Sequence, residues 1–246
     1  MNSEDKKYLA DIDRRADQYA NNDDLKANAN AFFVDSVKNE YSYNFTWLGR
    51  PIVQYPQDII AMQEIIWSIK PDLIIETGIA RGGSLIFYAS MLQLLGNNGK
   101  VLGIDIDIRD HNREGIEDHP LNDKIEMLQG SSVSAETFEQ VEKFAKNFNN
   151  ILVILDSNHT YAHVRKELEL YSELVQKGSF VVVFDTVIND LPAETNGSRP
   201  WGPDNNPMGA VFDFLETNDR FQINEKIQNK LLFTVAKNGY LECIKD

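Results

Sequence analysis

The stretch Leu73-Ile74-Ile75-Glu76-Thr77-Gly78-Ile79-Ala80-Arg81-Gly82-Gly83-Ser84 decides the fold. Leu73, Ile74 and Ile75 form a short apolar run of the kind that fills a parallel strand covered on both faces. Gly78, Gly82 and Gly83 then allow a tight turn and a close approach of backbone to ligand, and the apolar-rich run from Ser84 to Leu95 predicts a helix. Strand, glycine turn and helix together make the start of a nucleotide-cofactor site.

The pattern repeats downstream. Asn97-Asn98-Gly99 marks a turn, and Val101 to Ile106 reads as a second strand ending at Asp105 and Asp107. Ile125 to Leu128 is a third, running into Gly130-Ser131-Ser132. Ser134 caps a helix to about Phe148. Ile151 to Leu155 is a fourth strand, ending at Asp156-Ser157-Asn158-His159-Thr160. A helix over about Tyr161 to Gln176, closed by Lys177-Gly178, leads to a fifth strand, Phe180 to Phe184, which ends at Asp185. Phe221 to Ile227 and Leu231 to Ile244, the latter broken at Asn238-Gly239, predict antiparallel strands at one edge. The whole reads as an α/β, doubly wound, mostly parallel sheet with an antiparallel C-terminal edge strand. Its ligands belong beyond the strand C-termini, where the polar residues gather.

Upstream, residues 1–40 predict a helical arm, with Tyr8, Leu9, Ile12 and Ala16 at helical spacing and no visible chemistry. Tyr41 to Asp58 is aromatic-dense and punctuated by Gly49, Pro51 and Pro56, so it predicts a structured loop that plugs the joint or covers a ligand. Asp58 is placed to cap a helix over Ile59 to Ile69. Residues 41–246 form the main domain. Within it, 186–209 is too long and too rich in Pro and Gly for an ordinary turn and is a candidate lid.

The chain has 246 residues, is 42% hydrophobic and carries a formal net charge of −14, which argues for one sizeable domain and against a nucleic-acid partner. The single cysteine, Cys243, excludes an internal disulfide. The polar N-terminus, and the lack of any run near the roughly 18 apolar residues of a membrane span, predict a cytoplasmic protein.

The turn has neither the G-x-G-x-x-G spacing of a dinucleotide site nor the Walker pattern. Glu76, immediately ahead of the glycines, would repel a pyrophosphate but favours a cationic ligand. S-adenosylmethionine, with its sulfonium and ammonium groups, is such a ligand. Asp105, at the end of the next strand, stands where a carboxylate accepts both ribose hydroxyls, with Asp107 as its alternate. Asp156 and Asp185 end adjacent core strands, so their carboxylates can converge on a hard cation such as Mg²⁺.

Glu76 to Ser84 looks like the first motif of class I S-adenosylmethionine-dependent methyltransferases. Together with Asn44-Phe45-Thr46-Trp47-Leu48-Gly49, Asp156-Ser157-Asn158-His159, Phe184-Asp185-Thr186 and Arg199-Pro200-Trp201-Gly202-Pro203, it resembles the cephalosporin hydroxylase / rhamnosyl O-methyltransferase family over about residues 40 to 246. The resemblance implies a Rossmann-like methyltransferase sheet. Glu76, Gly78, Arg81, Gly83 and Ser84 would surround the methionine end of the cofactor, with Asp156 beside them. Asp105 would hold the ribose, and Ser131 or Ser132 the adenine neighbourhood.

Relatives that use a metal commonly show an acidic pair at the end of the fifth strand. The first of those positions is Phe184 here, which leaves Asp156 and Asp185 as metal residues, with Thr186 or water to complete the shell. A histidine placed like His159 serves as general base in sugar O-methyltransferases of this kind. His163, four residues on, is expected on the same helical face. His111 and His119 fall in a charged loop, Arg109 to Asp123.

Three readings follow. The first is an O-methyltransferase acting on a hydroxyl of a sugar or glycosylated small molecule or lipid, with or without Mg²⁺. The second is an oxidoreductase, prompted by the hydroxylase half of the family name. The third is a non-catalytic cofactor-binding relative. The arm and the acidic surface are compatible with a homo-oligomer.

Overall fold

The structure, a computed structural model, describes residues 2–246, the side chain of Asn196 apart; Met1 of the arm lies outside the described residues. The arm is two helices, α1 (Ser3–Ala20) and α2 (Asp23–Lys38), each opened by an asparagine side chain. Asn2 accepts the Asp5 N–H, and Asn22 accepts that of Leu25. α2 is not detached from the rest: Phe33 is buried and its ring lies 5.1 Å from that of Tyr55. The aromatic segment then forms a two-stranded hairpin, β1 (Phe45–Trp47) and β2 (Arg50–Ile52), turned by Leu48 and Gly49 at positive φ.

α3 (Pro56–Ile69) starts with Pro56 in its first turn, and Tyr55 precedes it as the cap residue without a side-chain bond. Asp58 therefore does not cap this helix. It is fully buried and accepts hydrogen bonds from Thr234 Oγ1, from Tyr240 Oη at 2.8 Å and from the Val235 N–H at 3.3 Å. Burial raises its pKa to about 6 despite these donors.

The alternation then runs as read: β3 (Leu73–Thr77), α4 (Gly83–Leu95), β4 (Lys100–Asp105), α5 (Asp110–Glu117), β5 (Ile125–Gln129), α6 (Ala135–Ala145), β6 (Ile151–Leu155), α7 (Tyr161–Tyr171) and β7 (Phe180–Val183). α5 lies inside the stretch read as a charged loop. Its Asn112 and Ile116 are buried, a face too short to register as periodicity. After two 3-10 turns, Thr186–Asp190 and Ala193–Asn196, come α8 (Pro207–Thr217), β8 (Phe221–Ile223), α9 (Glu225–Leu231) and β9 (Tyr240–Cys243).

The C-terminus departs from expectation. Residues 225–231 are helix, opened by Asn224, whose Oδ1 accepts the Ile227 N–H, and residues 231–239 are not strand. The sheet order is β5-β4-β3-β6-β7-β9-β8, with β5, β4, β3, β6 and β7 mutually parallel. β9 is the antiparallel strand, but β8 rather than β9 occupies the edge.

Period-two alternation divides the core. Ile74, Leu152, Ile154 and Val182 face a cluster with Met62, Ile66 and Leu85, on the α3 and α4 side. Leu73, Ile75, Val153 and Val181 face Val141, Val164, Leu168 and Phe214, on the side of α6, α7 and α8. With both faces covered, the parallel strands present only their C-terminal ends. The chain leaves β3 towards β4 and β5 and later returns to β6 on its other side, so the crevice opens over the ends of β3 and β6. Among the described residues, no helix is long and apolar enough to cross a membrane.

Candidate active site

A cavity of about 1110 Å³ lies over those strand ends. One end is built by the glycine turn. Glu76 pairs in register with Gly103 on one side and Ile154 on the other, and its side chain is buried. Ser84 Oγ donates to Glu76 Oε2 at 2.5 Å. Burial nonetheless raises the Glu76 pKa to about 8, because the Ser84 and Tyr88 hydroxyls offset only part of the desolvation and Asp105 adds repulsion.

Gly78 sits at φ +92°, and a Cβ there would meet the Asp156 carbonyl oxygen at 2.2 Å. A Cβ on Gly83 would meet the Pro51 carbonyl oxygen at the same distance, so the β1–β2 hairpin presses on the start of α4. Arg50 holds that hairpin in place, its Nη2 donating to the Arg81 carbonyl at 2.6 Å. Asp105 Oδ2 accepts the Ile79 N–H at 2.8 Å, and Oδ1 accepts the Asp107 N–H at 3.0 Å. Glu76, Gly78, Arg81, Gly83, Ser84, Asp105 and Asp107 all line the cavity. Ser131 and Ser132 are not among its walls. Ser132 is buried and turned towards α7.

The floor is made where β6 and β7 end. Asp156, His159 and Asp185 each bring one ligand atom into a group that fits within 4.8 Å, the one such cluster among the described residues. His159 Nε2 lies 3.1 Å from Asp185 Oδ2, and the imidazole packs edge to face with Trp201 at 4.8 Å. Asp185 adopts a left-handed conformation, φ +57°, which the short acidic side chain tolerates and which turns it out of the strand line. Asp156 is pushed well above the usual carboxylate range by burial, then by the neighbouring Asp185, Glu76, Glu167 and Asp58.

Two carboxylates and an imidazole that converge in this way are a donor set for a divalent cation. Asp156, Asp185 and His159 fit one. Phe184 takes no part: it is buried in the core and its N–H donates to the Leu155 carbonyl at 3.0 Å. Thr186 is no substitute, since its hydroxyl is buried and donates to the Val235 carbonyl at 3.2 Å. A two-histidine, one-carboxylate iron triad is not assembled among the described residues.

The opposite wall comes from both ends of the chain. Val187, Leu191, Arg199 and Trp201 of the 186–209 segment line the cavity, and so do Phe33, Val37 and Lys38 of the arm, whose sequence shows no chemistry of its own. The segment is anchored at its far end, where Asn205 Oδ1 accepts the Tyr161 N–H at 2.9 Å. His163 does not stand beside His159. His159 precedes α7, so helical spacing does not relate the two, and His163 faces Ser132, Ser157 and Glu167 behind the floor. A glutamate four residues after His163, on the buried face of a helix, was the available signal.

Comparison with known proteins matches the same region. The sequence model of the family described as Rhamnosyl O-methyltransferase/CmcI matches residues 39–244. The rhamnosyl O-methyltransferase of Mycobacterium leprae (strain TN) is 27% identical, over 85% of this chain and 91% of the relative. That of Mycobacterium bovis (strain BCG / Pasteur 1173P2) is 28% identical, over 80% of this chain and 77% of the relative. A solved CmcI structure with Mg and SAM superposes with a TM-score of 0.59 at 18% identity, covering 82% of this chain and 77% of that one. An O-methyltransferase from Bacillus cereus in complex with SAH gives 0.53 at 16% identity, covering 91% and 92%. The structural likenesses support the fold.

Proposed function

Because the chain belongs to the rhamnosyl O-methyltransferase/CmcI family, we propose that it transfers a methyl group from S-adenosylmethionine to a hydroxyl of a sugar or glycosylated small molecule. The observation that carries this reading is the pairing of two ends in one cavity: a buried carboxylate at a glycine turn, and an Asp-His-Asp floor. Glu76 suits the cationic end of the cofactor, Gly78 and Gly83 let backbone approach it, and Arg81 and Ser84 border it. Asp105 accepts the backbone N–H groups of Ile79, Ala80 and Asp107 and keeps lone-pair capacity for the ribose.

At the floor, the acceptor hydroxyl attacks the methyl carbon as the carbon–sulfur bond breaks. The products are a methyl ether, S-adenosylhomocysteine and one proton. His159 takes that proton. Asp185, 3.1 Å from one ring nitrogen, orients the ring and stabilises the imidazolium that forms. Asp156 and Asp185 would hold Mg²⁺, with His159 at hand. When bound, the ion supplies Lewis-acid stabilisation of the developing alkoxide. The rest of the catalysis is placement and exclusion of water, to which the 186–209 segment and Trp201 contribute by walling the cavity.

The relatives' names support a deoxysugar acceptor such as a rhamnoside. A cytoplasmic location is part of the same reading, and the acidic surface leaves room for a homo-oligomer. Calorimetric titration with S-adenosylmethionine, with and without Mg²⁺, tests the premise, and absence of binding in both would overturn it. Mass detection of a methylated p-nitrophenyl α-L-rhamnopyranoside tests the acceptor class separately.

A further inference from the structure

The buried carboxylate of Asp58 lies outside the chemistry described so far. It does not line the cavity, so it touches neither cofactor nor acceptor. Its two oxygens are used differently: Oδ1 accepts the hydroxyls of Thr234 and Tyr240, while Oδ2 accepts the Val235 N–H at 3.3 Å. Thr234 Oγ1 in turn accepts the Ala236 N–H at 3.0 Å, so one side chain of α3 holds the irregular chain at 234–236. Apolar side chains at 58, 234 and 240 would fill the same space without burying a charge, so stability alone does not account for the arrangement.

The other side of Val235 serves the floor. Its carbonyl accepts the Thr186 hydroxyl at 3.2 Å and the Val187 N–H at 3.3 Å, which uses both lone pairs of that oxygen. Thr186 and Val187 are the two residues that follow Asp185, and Thr186 is fully buried. Asp185 itself stands at φ +57°, a conformation that a non-glycine residue keeps only where its surroundings hold it. The path from Asp58 to the turn after Asp185 therefore runs through the backbone of a single residue. It joins α3, the C-terminal stretch and the end of β7, which are far apart in the chain.

We infer that Asp58 is a positioning residue for the cation site of the floor: it fixes Val235, and Val235 fixes the turn that presents Asp185. This rests on the methyl-transfer reading above, in which Asp156 and Asp185 hold the ion. Thr186→Val removes the hydroxyl but keeps the shape, and is expected to lower Mn²⁺ affinity about five- to tenfold, the range for loss of one or two hydrogen bonds. Thr186→Ser keeps the hydroxyl and holds the affinity within about twofold of wild type. Asp58→Ala gives a loss of the same size as Thr186→Val, and in that background Thr186→Val costs less than about twofold more. Tyr240→Phe also takes a hydrogen bond from Asp58 but leaves Val235 held, so it lowers Tm without lowering Mn²⁺ affinity. S-adenosylhomocysteine affinity is unchanged throughout, because the hydrogen bonds of the glycine turn come from Ser84 and Asp105.

The test is Mn²⁺ binding to the full chain, followed by electron paramagnetic resonance, and calorimetric titration with S-adenosylhomocysteine, on wild type and these variants at a temperature where each is folded. Folded Asp58→Ala and Thr186→Val proteins that bind Mn²⁺ within about twofold of wild type would overturn the inference. So would a Tyr240→Phe protein that loses as much Mn²⁺ affinity as Asp58→Ala, or an Asp58→Ala protein that loses both affinities equally, since either result makes Asp58 a general support of the core. Should Asp58→Ala not fold, Asp58→Asn decides, because its single amide oxygen replaces an ionised acceptor of three donors. A loss of Mn²⁺ affinity beyond about twofold that Tyr240→Phe does not share supports the inference, and a smaller one overturns it. A wild type that binds S-adenosylhomocysteine but no Mn²⁺ overturns the inference and leaves methyl transfer standing. A wild type that binds neither overturns the functional reading itself.

Discussion

The two ends of the cavity hold their carboxylates differently. At the glycine turn, Glu76 has the Ser84 hydroxyl and Asp105 has three backbone N–H groups, so each acid is oriented before any ligand arrives. At the floor, only Asp185 lies against the His159 imidazole, and Asp156 sits well above its ordinary range because burial, and then the charge of its neighbours, disfavours the carboxylate. The first end is organised in advance by hydrogen bonds. The second gathers two carboxylates and one imidazole into a set that fits a cation. Binding and chemistry are therefore expected to respond separately to substitution.

The largest effect tests that separation directly. His159→Ala is expected to lower kcat by about 10²- to 10⁴-fold, the usual worth of a positioned general base. S-adenosylmethionine affinity, read by calorimetry, should stay within about threefold; a parallel loss of affinity would mean that the ends are not independent. Gly78→Ala comes next, because it disturbs both ends at once. Its Cβ would collide with the Asp156 carbonyl at 2.2 Å from a strained positive φ, and a destabilisation of about 2 to 5 kcal/mol should appear in denaturant unfolding.

Glu76→Gln should weaken S-adenosylmethionine binding by about 10- to 100-fold, the range for one charge-assisted hydrogen bond. It should also stabilise the free protein at alkaline pH. The folded pKa of about 8 lies above the ordinary 4.5, so the folded state holds the proton more tightly. Stability from that proton is lost as pH rises from about 4.5 through about 8. The variant's advantage in Tm should therefore grow across that window and level off above it.

The same shift gives a smaller signal: at pH 7 the cationic cofactor should expel part of a proton from Glu76, measurable as a dependence of the binding enthalpy on buffer ionisation. Smallest of all, Ser131→Ala should change cofactor affinity by less than about threefold, because Ser131 is not among the cavity walls. A larger change would bring the loop after β5 into the site.

The parts legible from sequence were those encoded within a few neighbouring residues. The strand-turn-helix at 73–95, the strand ends at Asp105, Asp156 and Asp185, and the Ser134 cap are local patterns of apolarity and turn chemistry. Asp58 illustrates the limit. An acidic residue ahead of an apolar run looks like a helix cap, yet it is claimed by Thr234 and Tyr240, partners far along the chain that nothing local announces.

His163 fails for a related reason. Its distance from His159 suggests one helical face only if the helix already includes both, and α7 begins at Tyr161. At the C-terminus, apolar residues at 231–236 suggest a strand but are buried at the end of α9 and in the irregular chain after it, where Leu231, Val235 and Ala236 satisfy the core without joining the sheet.

The contact between Gly78 and the Asp156 carbonyl has a mechanical consequence. With no room for even a methyl group between them, the glycine turn after β3 and the loop after β6 form a joint without play. Displacing either backbone displaces the other. The spacing between the two ends of the cavity is thereby fixed by backbone geometry rather than by side-chain rotamers, a tolerance set when the chain folds.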